Sequence, residues 1–122
     1  MTNHKLVGVT MLMILLSFTG KAQNKKTNTK KEITFSVAGN CGMCKSRIED
    51  ALDIKGIKFA EWDQKTKICT VIYNAEKIDE GKVHQTIAAI GHDTEKVRAT
   101  DQSYEELHHC CHYSRLAVDN KE

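Results

Sequence analysis

Apolar and polar side chains alternate along residues 33–37, with Ile33, Phe35 and Val37 on one face. A period of two is the pattern of a strand that buries one face and exposes the other. The chain then reaches Gly39, and glycine is typical of the turn where a strand ends. We therefore predict a strand that leads directly into a loop.

A helical pattern follows this loop. Cys44, Ile48 and Leu52 recur every four residues and fall on one face of the predicted helix. Gly56 is suited to end it. The pattern predicts that Cys44 leans towards the core, whereas Cys41 is more exposed.

Two β-rich runs and a second helix come next. Residues 57–63 and 67–73 are joined through the polar stretch QKTK, which suits a hairpin. Asp79 is placed to cap the second helix and Gly91 to end it. Three residues form the apolar face of this helix: Val83, Ile87 and Ile90. A short extended segment, DTEKVRA at residues 93–99, follows.

The order of these elements is βαββαβ, which predicts the fold class. We expect an α+β, ferredoxin-like sandwich, in which two helices cover one face of an antiparallel four-stranded sheet. The domain would span residues 32–99. Its topology brings the loop after the first strand close to the turn after the second helix.

Residues 1–22 have the pattern of a secretory signal. Lys5 supplies positive charge, residues 6–18 form a largely apolar run, and Gly20-Lys21-Ala22 offers a small-x-small cleavage site. A retained membrane anchor is the alternative, although the run is shorter than the roughly 20 residues of a membrane span. We expect a flexible polar leader at residues 23–31 and export across the inner membrane into the periplasm, with no membrane span after signal removal.

The charge balance also depends on the predicted signal. The whole chain has a formal net charge of +2, from 18 basic and 16 acidic residues. The signal contains two lysines and no acidic residue, so the remaining chain is close to neutral. From Ile33 onward there is no basic stripe interleaved with aromatic side chains, and no nucleic-acid partner is expected.

Cys41 and Cys44 form a C-x-x-C motif between the first strand and the first helix. The chain has five cysteines, and in an exported protein an odd number leaves at least one free, bound to a metal or paired with another molecule. A helix start favours the thiolate, so the motif is suited to metal binding near neutral pH. Disulfide exchange and plain packing are the alternatives.

The type of metal follows from the number of sulfur ligands. Two thiolates from one short loop suffice for two-coordinate Cu(I) or Hg(II). Zn(II) usually takes four ligands and would need help from His92, the tail or a partner. The redox alternative would use the same thiols, but the chain lacks any proline to supply the cis-proline of a thioredoxin-like site.

Two further residues, Cys69 and His92, carry side chains that could bind a metal. Cys69 alternates with Val71 and Tyr73 on one strand face, and we expect it to be a small buried thiol. His92 follows the turn after the second helix, where a histidine is usually a surface or capping group. Imidazole nevertheless suits soft and borderline metals, so His92 is a candidate ligand.

The C-terminal tail, residues 100–122, contains the run HHCCH. Three histidines and two cysteines within five residues are hard to explain as solvated surface. We predict an auxiliary metal site with four candidate ligands: His108, Cys110, Cys111 and His112. A tail disulfide, or a hydrophobic contact through Leu107, is the alternative.

The shape of the tail is predicted from its capping signal. Ser103 and Glu106 have capping-box spacing, which predicts a short helix from Tyr104. One face of that helix would carry His108, Cys111 and His112, and another would carry Leu107 and Cys110. The tail would bind a second metal separately, or fold back so that Cys110 or Cys111 completes the site begun by the C-x-x-C loop. The separate or partner-facing site is favoured, because adjacent cysteines cannot easily both reach one loop.

Three stretches together form a recognisable pattern: Cys41-Gly42-Met43-Cys44, then ALDIKGI at the helix exit, then CTVIYNAEKI at the third strand and turn. With this combination, residues 33–99 resemble the heavy-metal-associated domain family. That family includes copper chaperones, the periplasmic mercury-binding protein and terminal modules of metal-exporting ATPases. Its members usually read G-M-x-C-x-x-C, whereas this chain has Gly39-Asn40-Cys41 and lacks the methionine.

The resemblance implies a metal carrier or metallochaperone, and not an enzyme. It implies that Cys41 and Cys44 bind a soft metal ion, with Cu(I) favoured and Hg(II), Zn(II) or Cd(II) as alternatives. It also implies transfer by ligand exchange to a metal transporter, an efflux component or another soft-metal-binding protein. The alternative function is that of an extracytoplasmic thiol-disulfide redox protein.

Overall fold

The fold is known from a computed structural model, which describes residues 28–115. The predicted signal and most of the predicted leader lie outside the described residues. Three strands are formed: β1 (Lys30–Ser36), β2 (Ile57–Trp62) and β3 (Ile68–Asn74). The helices are α1 (Gly42–Ala51), α2 (Glu80–Ala89) and α3 (Asp101–Glu105), followed by a 3-10 turn at His109–Cys111. Within this range, no helix combines the length and apolar character that crossing a membrane requires.

The sheet has the order β1-β3-β2, and both pairings are antiparallel. The hairpin predicted from the QKTK stretch is therefore confirmed. One row across the sheet joins Phe35, Cys69 and Trp62, all of which are buried. β1 begins at Lys30, inside the expected leader, because Lys30 still pairs with Asn74.

The fourth strand expected at residues 93–99 is not formed in the part of the chain that the structure describes. This segment contributes one isolated bridge, between Val37 and Thr94. The Glu95 N–H also donates to the Ser36 carbonyl over 3.0 Å. Local bonds then replace further pairing: the Thr94 N–H donates to the Val97 carbonyl over 2.9 Å, and the Ala99 N–H donates to the Asp93 carboxylate over 2.8 Å. The ferredoxin-like α+β class is confirmed, with three strands in the described sheet.

Both long helices cover the same face of the sheet, as predicted. Asp79 caps α2, since its carboxylate accepts from the Lys82 N–H over 2.7 Å. Cys44 and Ile48 on α1 are fully buried, and so are Val83 and Ile87 on α2. These side chains form one hydrophobic core with the buried faces of β1 and β3.

The tail begins differently from the prediction. Thr100, rather than Ser103, caps α3, because its hydroxyl accepts from the Ser103 N–H over 3.1 Å. The helix ends at Glu105, so the predicted helix from Tyr104, with His108, Cys111 and His112 on one face, is wrong. The chain then turns back towards the domain, and three tail residues are buried: Leu107, Cys111 and Tyr113.

Candidate metal site

The loop between β1 and α1 lies on the indole of Trp62. A Cβ added to Gly39 would come within 2.9 Å of two atoms of that ring, so the close approach requires glycine. The indole N–H donates to the Val37 carbonyl over 3.0 Å. Trp62 therefore supports the loop in a chain that lacks the methionine usual in similar domains.

The two loop cysteines occupy different environments. Cys41 immediately precedes α1, in extended backbone conformation, and its side chain is partly exposed. Cys44 lies in the first turn of the helix, is fully buried, and its sulfur accepts from the Asn40 N–H over 3.4 Å. The two Sγ atoms are 3.8 Å apart. The predicted contrast between a buried Cys44 and a more exposed Cys41 is confirmed.

The start of α1 favours the thiolate of Cys41. Hydrogen bonding from the Cys44 backbone N–H, with a smaller contribution from the Met43 N–H, outweighs desolvation and lowers the pKa of Cys41 to about 7. These N–H groups belong to the first turn, where they have no partner within the helix. Cys41 can therefore bind a cation as the thiolate near neutral pH.

The tail folds back over this loop and is held by contacts far from the sulfurs. The Tyr113 hydroxyl donates to the Gly91 carbonyl over 2.6 Å and accepts from the Asp93 N–H over 2.8 Å. Arg115 forms a bidentate ion pair with the buried Asp93 carboxylate: its Nε donates over 2.9 Å and its Nη2 over 2.8 Å. Leu107 packs against Gly91, where an added Cβ would lie 3.0 Å from its side chain.

This path brings Cys111 to the C-x-x-C loop. The sulfur atoms of Cys41, Cys44 and Cys111 all lie within 4.8 Å of one another. Cys111 is fully buried, and desolvation is the main reason that its pKa is raised. A metal ion would have to displace the proton of this thiol, as thiolate ligation requires.

Cys110 reaches the same loop from the solvent side. Its Sγ is 3.9 Å from Cys41 Sγ, 4.0 Å from Cys111 Sγ and 3.9 Å from Met43 Sδ. The expectation that adjacent cysteines cannot both approach one loop is therefore wrong. The 3-10 turn at His109–Cys111 explains this, because it directs the buried Cys111 inward and leaves Cys110 at the surface.

His92 lies in the core beneath the loop. Its Nδ1 is 2.8 Å from the Ala38 carbonyl oxygen, and its ring stacks on Tyr113 with centroids 5.6 Å apart. Burial lowers the pKa of His92, which favours the neutral ring. It is not part of the group of three cysteines, and its observed contacts link the loop backbone to the tail.

The tail histidines are exposed and form ring contacts. His112 stacks on Tyr104 with centroids 5.0 Å apart, and its carbonyl accepts from the Asn40 side chain over 2.8 Å. His108 contacts the ring of His109, with centroids 4.3 Å apart. Neither His108 nor His112 joins the cysteine group among the described residues.

Cys69 is confirmed as a buried core thiol on β3. Burial raises the pKa of Cys69 to about 12, so it remains protonated at any ordinary pH. Tyr113 and Arg115, which hold the tail in place, were not identified from the sequence. Both lie after the HHCCH run, in a stretch without periodicity that would mark them.

Alkylation of the metal-free, reduced protein should reveal the thiolate at Cys41. The thiol is the unreactive form, so the rate of iodoacetamide labelling at Cys41 should rise with a midpoint near pH 7, the value to which its pKa is lowered. Cys69 and Cys111 should react only after unfolding, since both are fully buried. Peptide mapping by mass spectrometry measures each site. A midpoint at the ordinary value of about 8.5 would contradict the prediction.

Comparison with known proteins places this geometry in a family. Residues 34–93 match the heavy-metal-associated domain. A solved structure of the CopZ metallochaperone is 29% identical, with a TM-score of 0.51, and the match covers 52% of this chain and 98% of CopZ. No curated protein resembles the chain closely enough to be matched.

Two more distant structures share the fold. Oxidized MerP from Ralstonia metallidurans CH34 is 21% identical, with a TM-score of 0.51 and coverage of 53% of this chain and 93% of MerP. The N-terminal domain of a potential copper-translocating P-type ATPase from Bacillus subtilis, solved in its Cu(I)-loaded state, is 24% identical. Its TM-score is 0.51, with coverage of 53% of this chain and 84% of that domain. Residues 34–93 therefore belong to the heavy-metal-associated domain family.

Proposed function

We propose that this protein is an exported carrier of soft metal ions, with Cu(I) as its principal cargo. Cys41 and Cys44 are the primary ligands, and Cys111 of the tail is the third. The observation that carries the proposal is the convergence of these three sulfur atoms within 4.8 Å. The protein has no catalytic role in this proposal.

The three sulfur ligands favour a soft metal ion. Thiolate sulfur selects Cu(I) over the harder cations that prefer oxygen ligands. A metal–sulfur bond of roughly 2.3 Å places three coplanar ligands about 4.0 Å apart, close to the spacing of the loop sulfurs. The Cys41–Cys44 separation is already 3.8 Å, so little movement is needed there. Zn(II) would want a fourth ligand, which makes it a weaker candidate than Cu(I) or Hg(II).

The comparisons support the same class of cargo. The similar structures are named as a metallochaperone and as a domain of a potential copper-translocating ATPase in its Cu(I)-loaded state. The partner would then be a metal transporter, an efflux component or another soft-metal-binding protein. The signal-like pattern of residues 1–22 supports delivery in the periplasm.

Transfer would proceed by ligand exchange. A thiolate of the acceptor bonds to the metal while one thiolate of this protein leaves, so the ion is never free. The rate of Cu(I) transfer to a metal-free acceptor domain with a C-x-x-C motif should therefore rise in proportion to acceptor concentration. Stopped-flow spectroscopy with a Cys69→Ala donor as the control measures this. A rate independent of acceptor concentration would mean that the ion is released first, and would overturn the exchange step.

A thiol-disulfide redox function is the second candidate, and one observation favours it. Cys41 has a pKa of about 7, and its sulfur lies 3.8 Å from that of Cys44. A redox couple would catalyse reduction of a model disulfide well above a small-thiol control. We expect no such turnover, because the chain lacks any proline to supply the cis-proline of a thioredoxin-like site.

A further inference from the structure

We propose that the folded-back tail creates a second Cu(I) site, formed by Cys41, Cys110 and Cys111, beside the site proposed above. The two ions would share the Cys41 and Cys111 sulfurs as bridges. This inference rests on the proposed function, because it assumes that the first ion is bound by Cys41, Cys44 and Cys111. It assigns Cys110, the exposed thiol of the cluster, a role as terminal ligand.

The sulfur positions support two triangles with a common edge. The first triangle, Cys41, Cys44 and Cys111, has every edge within 4.8 Å. The second has edges of 3.9 Å from Cys41 to Cys110 and 4.0 Å from Cys110 to Cys111. Three coplanar ligands at a bond length of roughly 2.3 Å stand about 4.0 Å apart, so two edges of the second triangle already have the required length. The third edge, from Cys41 to Cys111, is within 4.8 Å.

Charge favours occupation of both triangles. Four thiolates gathered in one place repel one another, and a single monovalent ion offsets only part of this repulsion. A second Cu(I) offsets a further unit of negative charge in the cluster. Thiolates are the ligands that soft Cu(I) prefers, so bridging sulfurs suit this ion better than they suit a harder cation.

Met43 offers a further sulfur ligand beside the second site. Its Sδ lies 3.9 Å from Cys110 Sγ, and thioether sulfur is also a soft ligand. Met43 is 46% exposed and Cys110 is exposed as well, whereas Cys44 is fully buried. The second ion would therefore lie on the solvent side, where it would load last and leave first.

Cu(I) titration of the reduced protein, followed by native mass spectrometry and chelator competition, tests the inference. The monomer should take up two Cu(I) ions, the Cys110→Ser variant one, and the Cys69→Ala control two. Met43→Leu should keep both ions but weaken the second by roughly three- to tenfold, or about 1 kcal/mol. X-ray absorption of the fully loaded monomer should show a copper–copper scattering path that Cys110→Ser lacks.

Three results would overturn the inference: one Cu(I) in the wild-type monomer, a second ion that persists in Cys110→Ser, or two ions found only in dimers. Its failure is distinguishable from failure of the proposed function. One ion that is lost on replacing Cys41 and Cys44 would leave the carrier proposal intact and remove only the second site. An ion that survives that replacement would overturn both.

Discussion

Replacing both Cys41 and Cys44 by serine should weaken Cu(I) binding by at least roughly a thousandfold, which corresponds to about 4 kcal/mol or more. Serine offers a hard hydroxyl oxygen in place of a soft thiolate, and only Cys111 of the first triangle would remain. Competition against a Cu(I) chelator of known affinity, under strictly reducing conditions, measures the loss.

The matched control for the double variant is Cys69→Ala. It also removes a thiol, but from the strand core, where burial keeps Cys69 protonated. Its Cu(I) affinity should stay within about twofold of the wild-type value. If the double serine variant bound Cu(I) as tightly as this control, the C-x-x-C loop could not be the primary site.

Replacing Arg115 by alanine should destabilise the domain by about 3 kcal/mol and release the tail from the loop. The guanidinium pairs with Asp93, whose side chain is fully buried, and also with Asp101 at 3.0 Å. Removing one partner of a buried ion pair is strongly destabilising, because the other partner keeps its desolvation cost and loses its charged contacts. Urea unfolding of the metal-free protein gives the free-energy change, and alkylation of Cys111 under native conditions reports release of the tail.

A charge-matched control is available on the surface. Lys55→Ala removes one positive charge from the exposed turn after α1 and should change stability by less than about 0.5 kcal/mol. Arg115→Ala should also weaken binding of the first Cu(I), because Cys111 would no longer be held beside Cys41. Unchanged stability together with a protected Cys111 would show that Arg115 does not hold the tail.

The central elements could be predicted from local patterns. Alternation at Ile33, Phe35 and Val37 indicated β1, and the stripe through Cys44 and Ile48 indicated the buried face of α1. Such patterns are reliable where one face of an element must meet the core, since burial then fixes which residues are apolar. The same reasoning correctly placed Cys44 inside and Cys41 nearer to solvent.

The position of the tail depends on contacts that no local pattern contains. Tyr113 bonds to Gly91 and Asp93 across 22 and 20 residues of sequence, and Arg115 reaches Asp93 across 22. The capping-box spacing at Ser103 suggested a short helix from Tyr104 that would place Cys110 and Cys111 on different faces. Thr100 caps α3 instead, and the early end of that helix allows the return.

The expected fourth strand is not formed, for a related reason. Its composition allowed an extended segment, but side-chain capping by Asp93 and Thr94 closes a local turn. Backbone groups that bond within such a turn are not available to a sheet edge. Residues 93–99 therefore meet the chain only around the end of β1, through the Val37–Thr94 bridge and a hydrogen bond from the Glu95 N–H to the Ser36 carbonyl.

X-ray absorption spectroscopy of the reduced protein loaded with one equivalent of Cu(I) tests the central claim most directly. If Cys41, Cys44 and Cys111 bind the ion together, the wild-type spectrum should show three sulfur neighbours. The Cys111→Ser variant should then show two, at a shorter mean copper–sulfur distance, because fewer ligands bind more closely. Two sulfur neighbours in the wild type, with an unchanged spectrum in Cys111→Ser, would contradict the claim that the tail supplies a ligand.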